Sequence, residues 1–201
     1  MQNMNQKRSL FSYRMLDLAL FAGILVLFES IIIRVSNGSR FAGQPYTVSL
    51  AAAITGIMYM RWGAWGALHA ALAGLVFCLM QKAVPEQYLI YIGGNLVSLI
   101  ALPLYHKLGR ENIRNGKYLF IPVSLSVLIL MQAGRAFLAL LLGAEPNAAL
   151  LFFTTDCMSA VFTLLITWIA KQQNGLYEDQ IHYLKRIEKE SREEEDHGES
   201  N

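Results

Sequence analysis

Four polar residues that could bind a small molecule lie inside long apolar stretches of this 201-residue sequence: Glu29, Asn95, Arg135 and Asp156. Charged side chains are costly within a membrane, so an ionisable residue found there marks a candidate binding or transport site. Carboxylate and amide oxygens accept hydrogen bonds from the donors of a polar ring, whereas a guanidinium binds an acceptor or an anion. Together the four residues predict a pocket that binds a small polar substrate.

A structural role for the same charges is the alternative interpretation. Arg135 then pairs with Glu29 or Asp156 only to hold helices in register, as buried ion pairs do in other proteins. If the pocket exists, aromatic side chains nearby are candidates for its stacking walls. These candidates are Phe28, Tyr46, Tyr88, Tyr91, Phe152 and Phe153.

The stretches that carry these residues have the composition of transmembrane helices. Hydrophobic residues make up 54% of the chain and charged residues only 16%, against about 25% charged in soluble domains. A helix needs about 20 mostly apolar residues to cross the hydrocarbon of a bilayer. We therefore predict an all-α fold, a polytopic membrane bundle of about six transmembrane helices, at residues 16–33, 46–60, 62–80, 87–105, 118–142 and 148–170.

The second and third of these stretches are separated by Arg61 alone. A tight hairpin and one long kinked helix both fit this pattern. The hairpin is favoured because Trp62 and Gly63 join an interfacial anchor to a flexible residue, and because the combined stretch is too long for one crossing. A bundle of five crossings is the alternative.

Basic residues orient the bundle, because cytoplasmic loops carry an excess of Lys and Arg. Placing the N-terminus inside leaves only Arg34, Arg40 and Lys82 outside. The cytoplasmic side then collects Lys7, Arg8, Arg14, Arg61, Lys107, Arg110, Arg114, Lys117 and Lys171.

This orientation makes both termini cytoplasmic and gives the four candidate residues a common depth. Glu29, Asn95, Arg135 and Asp156 all fall in the outer half of the membrane when their positions are counted from the ends of the predicted spans. Independent structural charges have no reason to agree in depth. The agreement therefore favours one shared pocket that opens to the outside.

Composition divides the chain into three parts. Residues 1–15 form a cytoplasmic N-terminal segment, residues 16–170 the membrane domain, and residues 171–201 a charged cytoplasmic tail with five Lys or Arg and nine Asp or Glu. Ile181, Leu184 and Ile187 recur at helical spacing before the acidic run at 193–196. The tail is interpreted either as a solvated helix that frays into disorder or as a short docking helix.

Small residues form a second pattern within the predicted spans. Ala19 and Gly23 make a small-xxx-small pair in the first span. Such faces let helix backbones approach closely in lipid, where no hydrophobic driving force acts between helices. They serve either to pack the bundle itself or to dock another membrane subunit. The second span is crowded in the same way, by Ala51, Ala52, Ala53 and Gly56.

Motifs for catalysis and for metal binding are missing from the sequence. It contains no phosphate-binding loop and no recognisable hydrolase motif. Its four histidines are scattered, and Cys78 and Cys157 lie singly inside apolar runs, so neither a metal cluster nor a disulfide framework is indicated. No basic stripe with interleaved aromatics points to nucleic acid. We expect a protein that is not an enzyme, with no catalytic residue, metal or cofactor.

The combination of features resembles the S components of energy-coupling-factor (ECF) transporters, the membrane subunits that bind substrate in a family of vitamin importers. The similarity covers residues 10–172. Ala19-Leu20-Phe21-Ala22-Gly23 is similar to the family's Ala-x-x-x-Ala contact with the coupling subunit, with Gly in place of the second Ala. Gly93-Gly94-Asn95-Leu96 looks like the family's pocket segment, and residues 34–45 look like its gating loop.

The resemblance implies a function in an ABC-type importer in the cell membrane of a prokaryote. Such a subunit binds a small vitamin-like or nucleobase-like micronutrient outside and delivers it through a shared coupling subunit and an ATPase pair. The resemblance makes Ala19 and Gly23 the contacts with the coupling subunit. It makes Glu29, Asn95, Arg135 and Asp156 the candidate substrate ligands.

Two alternatives come from other classes of protein. One is a membrane scaffold of the MreD type or a receptor-like sensor, which does not transport and signals through its charged cytoplasmic tail. The other is a proton-coupled transporter that works alone. The small size of the chain and the lack of an evident inverted repeat disfavour this second alternative.

Overall fold

The structure is a computed structural model that describes residues 2–38 and 47–187, with side chains from Leu10 onward. These residues form an all-α bundle, and no strand occurs among them. Five helical stretches are long and apolar enough to cross a membrane, judged by length and composition. They indicate a multi-pass membrane protein and confirm the predicted fold class. The five are Leu10–Ser36, Ala51–Met80, Pro85–Leu108, Phe120–Leu141 and Pro146–Gln172.

The helices are numbered in chain order. Helix α1 begins at Gln2, so the segment 1–15 that was predicted to be separate runs directly into the first membrane helix. A further helical stretch at 180–187 follows the last numbered helix. The numbered helices are α1 (Gln2–Ser36), α2 (Ala51–Trp62), α3 (Ala67–Met80), α4 (Pro85–Leu108), α5 (Arg110–Asn115), α6 (Phe120–Leu141), α7 (Pro146–Thr155) and α8 (Cys157–Gln172).

Helices α2 and α3 form a hairpin, although together they give one apolar stretch of 30 residues. The chain reverses through a short 3-10 turn at Gly63–Gly66, where Gly63 has a φ of +61°. Such a φ favours glycine because a side chain would clash there. Gly66 lies so close to α2 that a Cβ on it would be 2.5 Å from the ring of Tyr59. The hairpin predicted from the sequence is therefore present.

Contacts at the two ends of the bundle show the direction of each helix. The Arg61 side chain, at the end of α2, pairs with Asp17 near the start of α1. His69, at the start of α3, contacts the Leu18 carbonyl, whereas Gln81, just after α3, bonds Asn37 beyond the other end of α1. The chain passes between the two ends six times, which supports six crossings over five.

Helix α2 lies at the centre of the bundle. All 12 of its residues are buried, and it packs against α1, α3, α6 and α8. Its length of about 18 Å, at 1.5 Å per residue, is well below the thickness of the hydrocarbon, so the surrounding helices must shield it from lipid. Ala51, Ala52, Ala53 and Gly56 let these neighbours approach, and they pack the bundle rather than a partner.

The end of the bundle that holds the start of α1 is called the basic end. It carries most of the basic residues that were predicted to be cytoplasmic: Arg14, Arg61, Lys107, Arg110, Arg114, Lys117 and Lys171. Arg34 and Lys82 lie at the opposite end, as the charge pattern predicted. Lys7 and Arg8 have no described side chain, and Arg40 lies outside the described residues. The charge asymmetry thus follows the helix directions.

The first part of the tail docks onto the basic end. Arg61 donates to the carbonyl oxygens of Gly175 and Leu176 at 2.6 and 3.0 Å. Tyr177 is only 1% exposed, and burial raises the pKa of its phenol. Asp179 pairs with Arg110 on α5. The docked part is the turn at 173–180, whereas the helical stretch that follows leaves Ile181 and Ile187 exposed, and the acidic run at 193–196 lies outside the described residues.

Candidate functional site

A cavity of about 280 Å³ lies near the end of the bundle opposite the basic end. Residues from α1, α2, α3, α4, α6 and α7 line it, together with the non-helical segment 47–49. This outer cavity contains three of the four candidate residues predicted from the sequence, Glu29, Arg135 and Asp156. Asn95, the fourth, lies behind the lining and contacts Arg135.

Arg135 is the centre of a buried polar network. Its Nε donates to Oδ1 of Asn95 at 2.8 Å, and its Nη1 donates to Oε1 of Gln132 at 3.3 Å. Nη1 also lies 3.4 Å from Oδ2 of Asp156, which makes a long ion pair. The amide of Asn95 donates in turn to the Ala70 carbonyl on α3 at 2.9 Å. Asn95 therefore holds the guanidinium in position and does not itself line the cavity.

The contact between Asn95 and Arg135 depends on two glycines where α4 crosses α6. A Cβ on Gly94 would lie 2.6 Å from the backbone nitrogen of Arg135, and a Cβ on Gly134 would lie 2.2 Å from the Gly94 carbonyl oxygen. Only glycine fits at this approach, since real Cβ atoms do not come so close. The Gly93-Gly94-Asn95 segment thus brings two helices together at the candidate site.

Asp156 sits at the break between α7 and α8. Its Oδ1 accepts hydrogen bonds from the hydroxyls of Thr47 and Ser159, and its Oδ2 accepts one from the Gln132 amide. The backbone N–H of Thr47 donates to the Thr155 carbonyl at 2.9 Å. The interrupted helix exposes polar groups to the cavity, as broken helices do in membrane transporters of known structure.

Glu29 caps helix α2 from a neighbouring helix. Its Oε1 accepts from the backbone N–H groups of Leu50 and Ala51, at 2.6 and 3.0 Å, and from the Ser49 hydroxyl at 2.7 Å. A carboxylate is favourable at a helix N-terminus, where backbone N–H groups lack partners. Glu29 is therefore partly structural, although the same side chain lines the cavity.

Aromatic rings form one wall of the outer cavity. Tyr91 stacks near Phe77 with ring centroids 4.2 Å apart and meets Phe152 edge-on at 6.0 Å. The guanidinium carbon of Arg135 lies 5.2 Å from the centre of the Tyr91 ring. Tyr91 belongs to a π-helical turn, Leu89–Gly93, and such turns are frequent at functional sites.

The aromatic residues suggested by the sequence divide into two groups. Tyr91 and Phe152 line the cavity. Phe28 and Phe153 are exposed on the outside of the bundle, and Tyr88 is outside the lining. Tyr46 lies outside the described residues, as does most of the loop 34–45 that resembles a gating loop.

Several residues of the site were not singled out from the sequence. Gln132 carried a usable signal, because it is a polar residue one helical turn before Arg135 in the same span. Thr47, Ser49 and Phe77 carried none, since hydroxyls and rings are common at such positions. Their part in the site follows only from the path of the chain.

The predicted partner contacts lie on an exposed face of α1, outside the lining of the outer cavity. Ala19 and Gly23 are both exposed, and a Cβ on Gly23 would meet nothing within 4 Å. Beside Ala19 runs a shallow apolar groove of about 220 Å³ between α1 and α3, lined by Leu18, Ala19, Ala22, Leu68, His69 and Leu72. These small residues therefore do not pack the bundle itself.

The chain matches no protein-family model, no curated protein and no solved structure.

Proposed function

We propose that this chain is the substrate-binding subunit of an ECF-type ABC importer. It captures a small vitamin-like or nucleobase-like micronutrient outside the cell and delivers it through a coupling subunit and an ATPase pair. One observation carries the proposal, namely that Glu29, Arg135 and Asp156 come from distant parts of the chain and converge on one cavity with an aromatic wall. A cavity with a few convergent polar groups is the usual form of a small-molecule site.

The network supports a binding site more strongly than a simple helix clamp. Only one nitrogen of the Arg135 side chain contacts Asp156, and that contact is long at 3.4 Å. Nη2 of Arg135 donates no hydrogen bond to any described residue, and Oε2 of Glu29 accepts none from one, although both side chains line the cavity. A donor and an acceptor are thus left for a ligand.

The outward face of α1 supports the second half of the proposal, delivery through a partner. Ala19 and Gly23 leave the backbone of α1 open to another helix, next to an apolar groove. Close backbone approach of this kind is how membrane helices associate. The face is separate from the cavity, so partner docking and substrate binding are separable by mutation.

Gly23→Leu tests the proposal. A Cβ at this exposed position meets nothing within 4 Å, so the isolated chain should keep its stability and its ligand affinity, whereas uptake should be lost because the partner can no longer approach. Uptake is measured in cells that express the chain with the coupling module, and binding is measured on the purified chain. Ala19→Leu should behave in the same way.

The control is Ala53→Leu on the buried helix α2. Ala53 is completely buried, so overpacking should lower the stability of the isolated chain by about 1–3 kcal/mol and reduce both binding and uptake. Equal loss of binding and uptake in Gly23→Leu would contradict a docking role for this face.

A membrane scaffold or sensor that signals through its tail is the alternative function. The docked tail favours it, because Tyr177 and its neighbours connect the last helix to α1, to the α2–α3 turn and to α5. A sensor should bind a cytoplasmic partner through the tail, and deletion of residues 173–201 should leave substrate binding unchanged while abolishing that interaction. In an importer subunit, uptake should instead depend on whether the α1 face at Ala19 and Gly23 is left open to the partner.

A further inference from the structure

The charges that line the outer cavity do not balance. Among the described lining residues, Glu29 and Asp156 are acidic and Arg135 is the single basic residue. Arg34 and Lys82 lie at the same end of the bundle but are exposed and do not line the cavity, and Arg40 lies outside the described residues. With all three lining groups ionised, the described cavity carries one net negative charge.

The Arg135–Asp156 pair accounts for one charge of each sign. Both side chains are about nine-tenths buried, and Gln132 links them by donating to Asp156 and accepting from Arg135. The carboxylate of Asp156 also accepts hydrogen bonds from the hydroxyls of Thr47 and Ser159. Its lone pairs are occupied, so this pair needs no further charge.

Glu29 is the acidic lining group without an ion pair of its own. It is only 3% exposed, and its partners Ser49, Leu50 and Ala51 are neutral donors that all bind Oε1. No basic group of the described chain forms an ion pair with it. A carboxylate buried without a cation is expensive, and a bound cation relieves that cost.

The aromatic wall suits the same ligand. A cation near the face of an aromatic ring is attracted by the ring quadrupole, and a planar ligand ring stacks on Tyr91 or Phe77. Building on the proposed binding function, we infer that the cavity takes a small aromatic organic cation. The positive group of the ligand binds Oε2 of Glu29, and the ligand ring packs on the Phe77–Tyr91 wall.

Three probes of equal shape and different charge test this inference: benzamidinium, benzamide and benzoate. Binding to the purified full-length chain in lipid nanodiscs is measured by titration calorimetry. Benzamidinium should bind more tightly than benzamide by roughly tenfold to a hundredfold, the range for a hydrogen bond to a charged group. Benzoate should bind most weakly.

Glu29→Gln tests whether the preference for a cation depends on the Glu29 carboxylate. Its amide oxygen still accepts from Leu50 and Ala51, so α2 stays capped, while the negative charge is removed. The benzamidinium advantage over benzamide should vanish. Glu86→Gln is the matched control, because Glu86 is an exposed acid at the same end and outside the cavity, and it should keep the preference.

Each other outcome overturns the inference. Preference for benzamide or benzoate, or a benzamidinium preference that survives Glu29→Gln, shows that the site does not select a cation, while capture of a small molecule still stands. If none of the three probes binds at millimolar concentration, a site for aromatic cations is excluded. If a ligand of another charge then copurifies with the chain, the proposed binding function still stands. If no ligand copurifies, the result counts against both the binding function and the cation site.

Discussion

Single side chains in this protein connect segments that are far apart in the sequence. Asp156 receives hydrogen bonds from Thr47, Gln132 and Ser159, and Arg135 joins α6 to α4 through Asn95. Hydrogen bonds to charged groups contribute about 1.5–3 kcal/mol each. The cavity is therefore held in shape by the same groups that face it, and binding and stability have to be measured separately.

Variants of Arg135 and Asp156 allow the effects on stability and on binding to be separated. Arg135→Gln leaves Asp156 buried without its cation and should lower the stability of the ligand-free chain by about 3 kcal/mol. The double variant Arg135→Gln with Asp156→Asn removes both charges and should recover much of that loss, because no charge is stranded. Thermal melts of the purified proteins measure the effect.

Ligand affinity should respond differently from stability. The double variant lacks the free Nη2 of Arg135, so binding should stay weakened by about 1–3 kcal/mol even where stability returns. Asp156→Asn alone should weaken stability through the unpaired Arg135. Return of both stability and binding in the double variant would show that the pair is only a helix clamp.

Individual site residues could be predicted from the sequence where a charged or amide side chain lay inside an apolar stretch. Glu29, Asn95, Arg135 and Asp156 stood out because apolar surroundings make charged and amide groups conspicuous. The sequence did not reveal that Glu29 caps α2, because the cap comes from another helix and not from the residue before α2. The direct pairing of Arg135 with Asn95 was hidden for a similar reason, since it depends on the close crossing at Gly94 and Gly134.

Helix interruptions distinguish the elements around the cavity. The π-helical turn of α4 carries Tyr91, and the break between α7 and α8 carries Asp156. The segment 47–49 lies against that break through the Thr47–Thr155 backbone hydrogen bond. Broken helices free backbone and side-chain groups that a regular helix would use internally. The periodicity of apolar residues predicts a span but not an interruption within it.

The α2–α3 hairpin is the element that sets the number of crossings. The sequence left five and six crossings open, and it favoured the turn through Trp62 and Gly63 after Arg61 and through the length of the combined stretch. The bond from Arg61 to Asp17 decides the matter in the structure, because it ties the turn to the start of α1. Helix α2 is shorter than a span that faces lipid, because protein and not lipid encloses it.

Cysteine labelling tests this hairpin. In a chain with Cys78 and Cys157 replaced by Ser, Ala64→Cys places a thiol in the exposed turn, and Gln173→Cys places one at the end of the last helix. Both should react with a membrane-impermeant reagent only after the cells are permeabilised. Asn147→Cys, at the opposite end, should react in intact cells. An unreactive Ala64→Cys would place residue 64 within the bilayer and contradict the hairpin.

The whole molecule has two chemically different ends. Basic residues and the docked tail gather at one end, and the polar cavity opens near the other. The charge bias of membrane loops predicts that the basic end faces the cytoplasm, so the cavity lies on the outer side. The global arrangement was predictable because length, hydropathy and charge act over the whole chain. The shape of the cavity was not, because it depends on side chains from six helices.

Mass spectrometry of small molecules released from the purified chain tests the central claim, that the outer cavity binds a ligand. We expect a stoichiometric small molecule in the wild-type protein and its loss in Ala148→Trp, where the new side chain at an exposed lining position fills the cavity. Asn147→Trp, next to it and outside the lining, should retain the molecule. No bound molecule in any of the three proteins, or equal amounts in all three, would contradict ligand capture in this cavity.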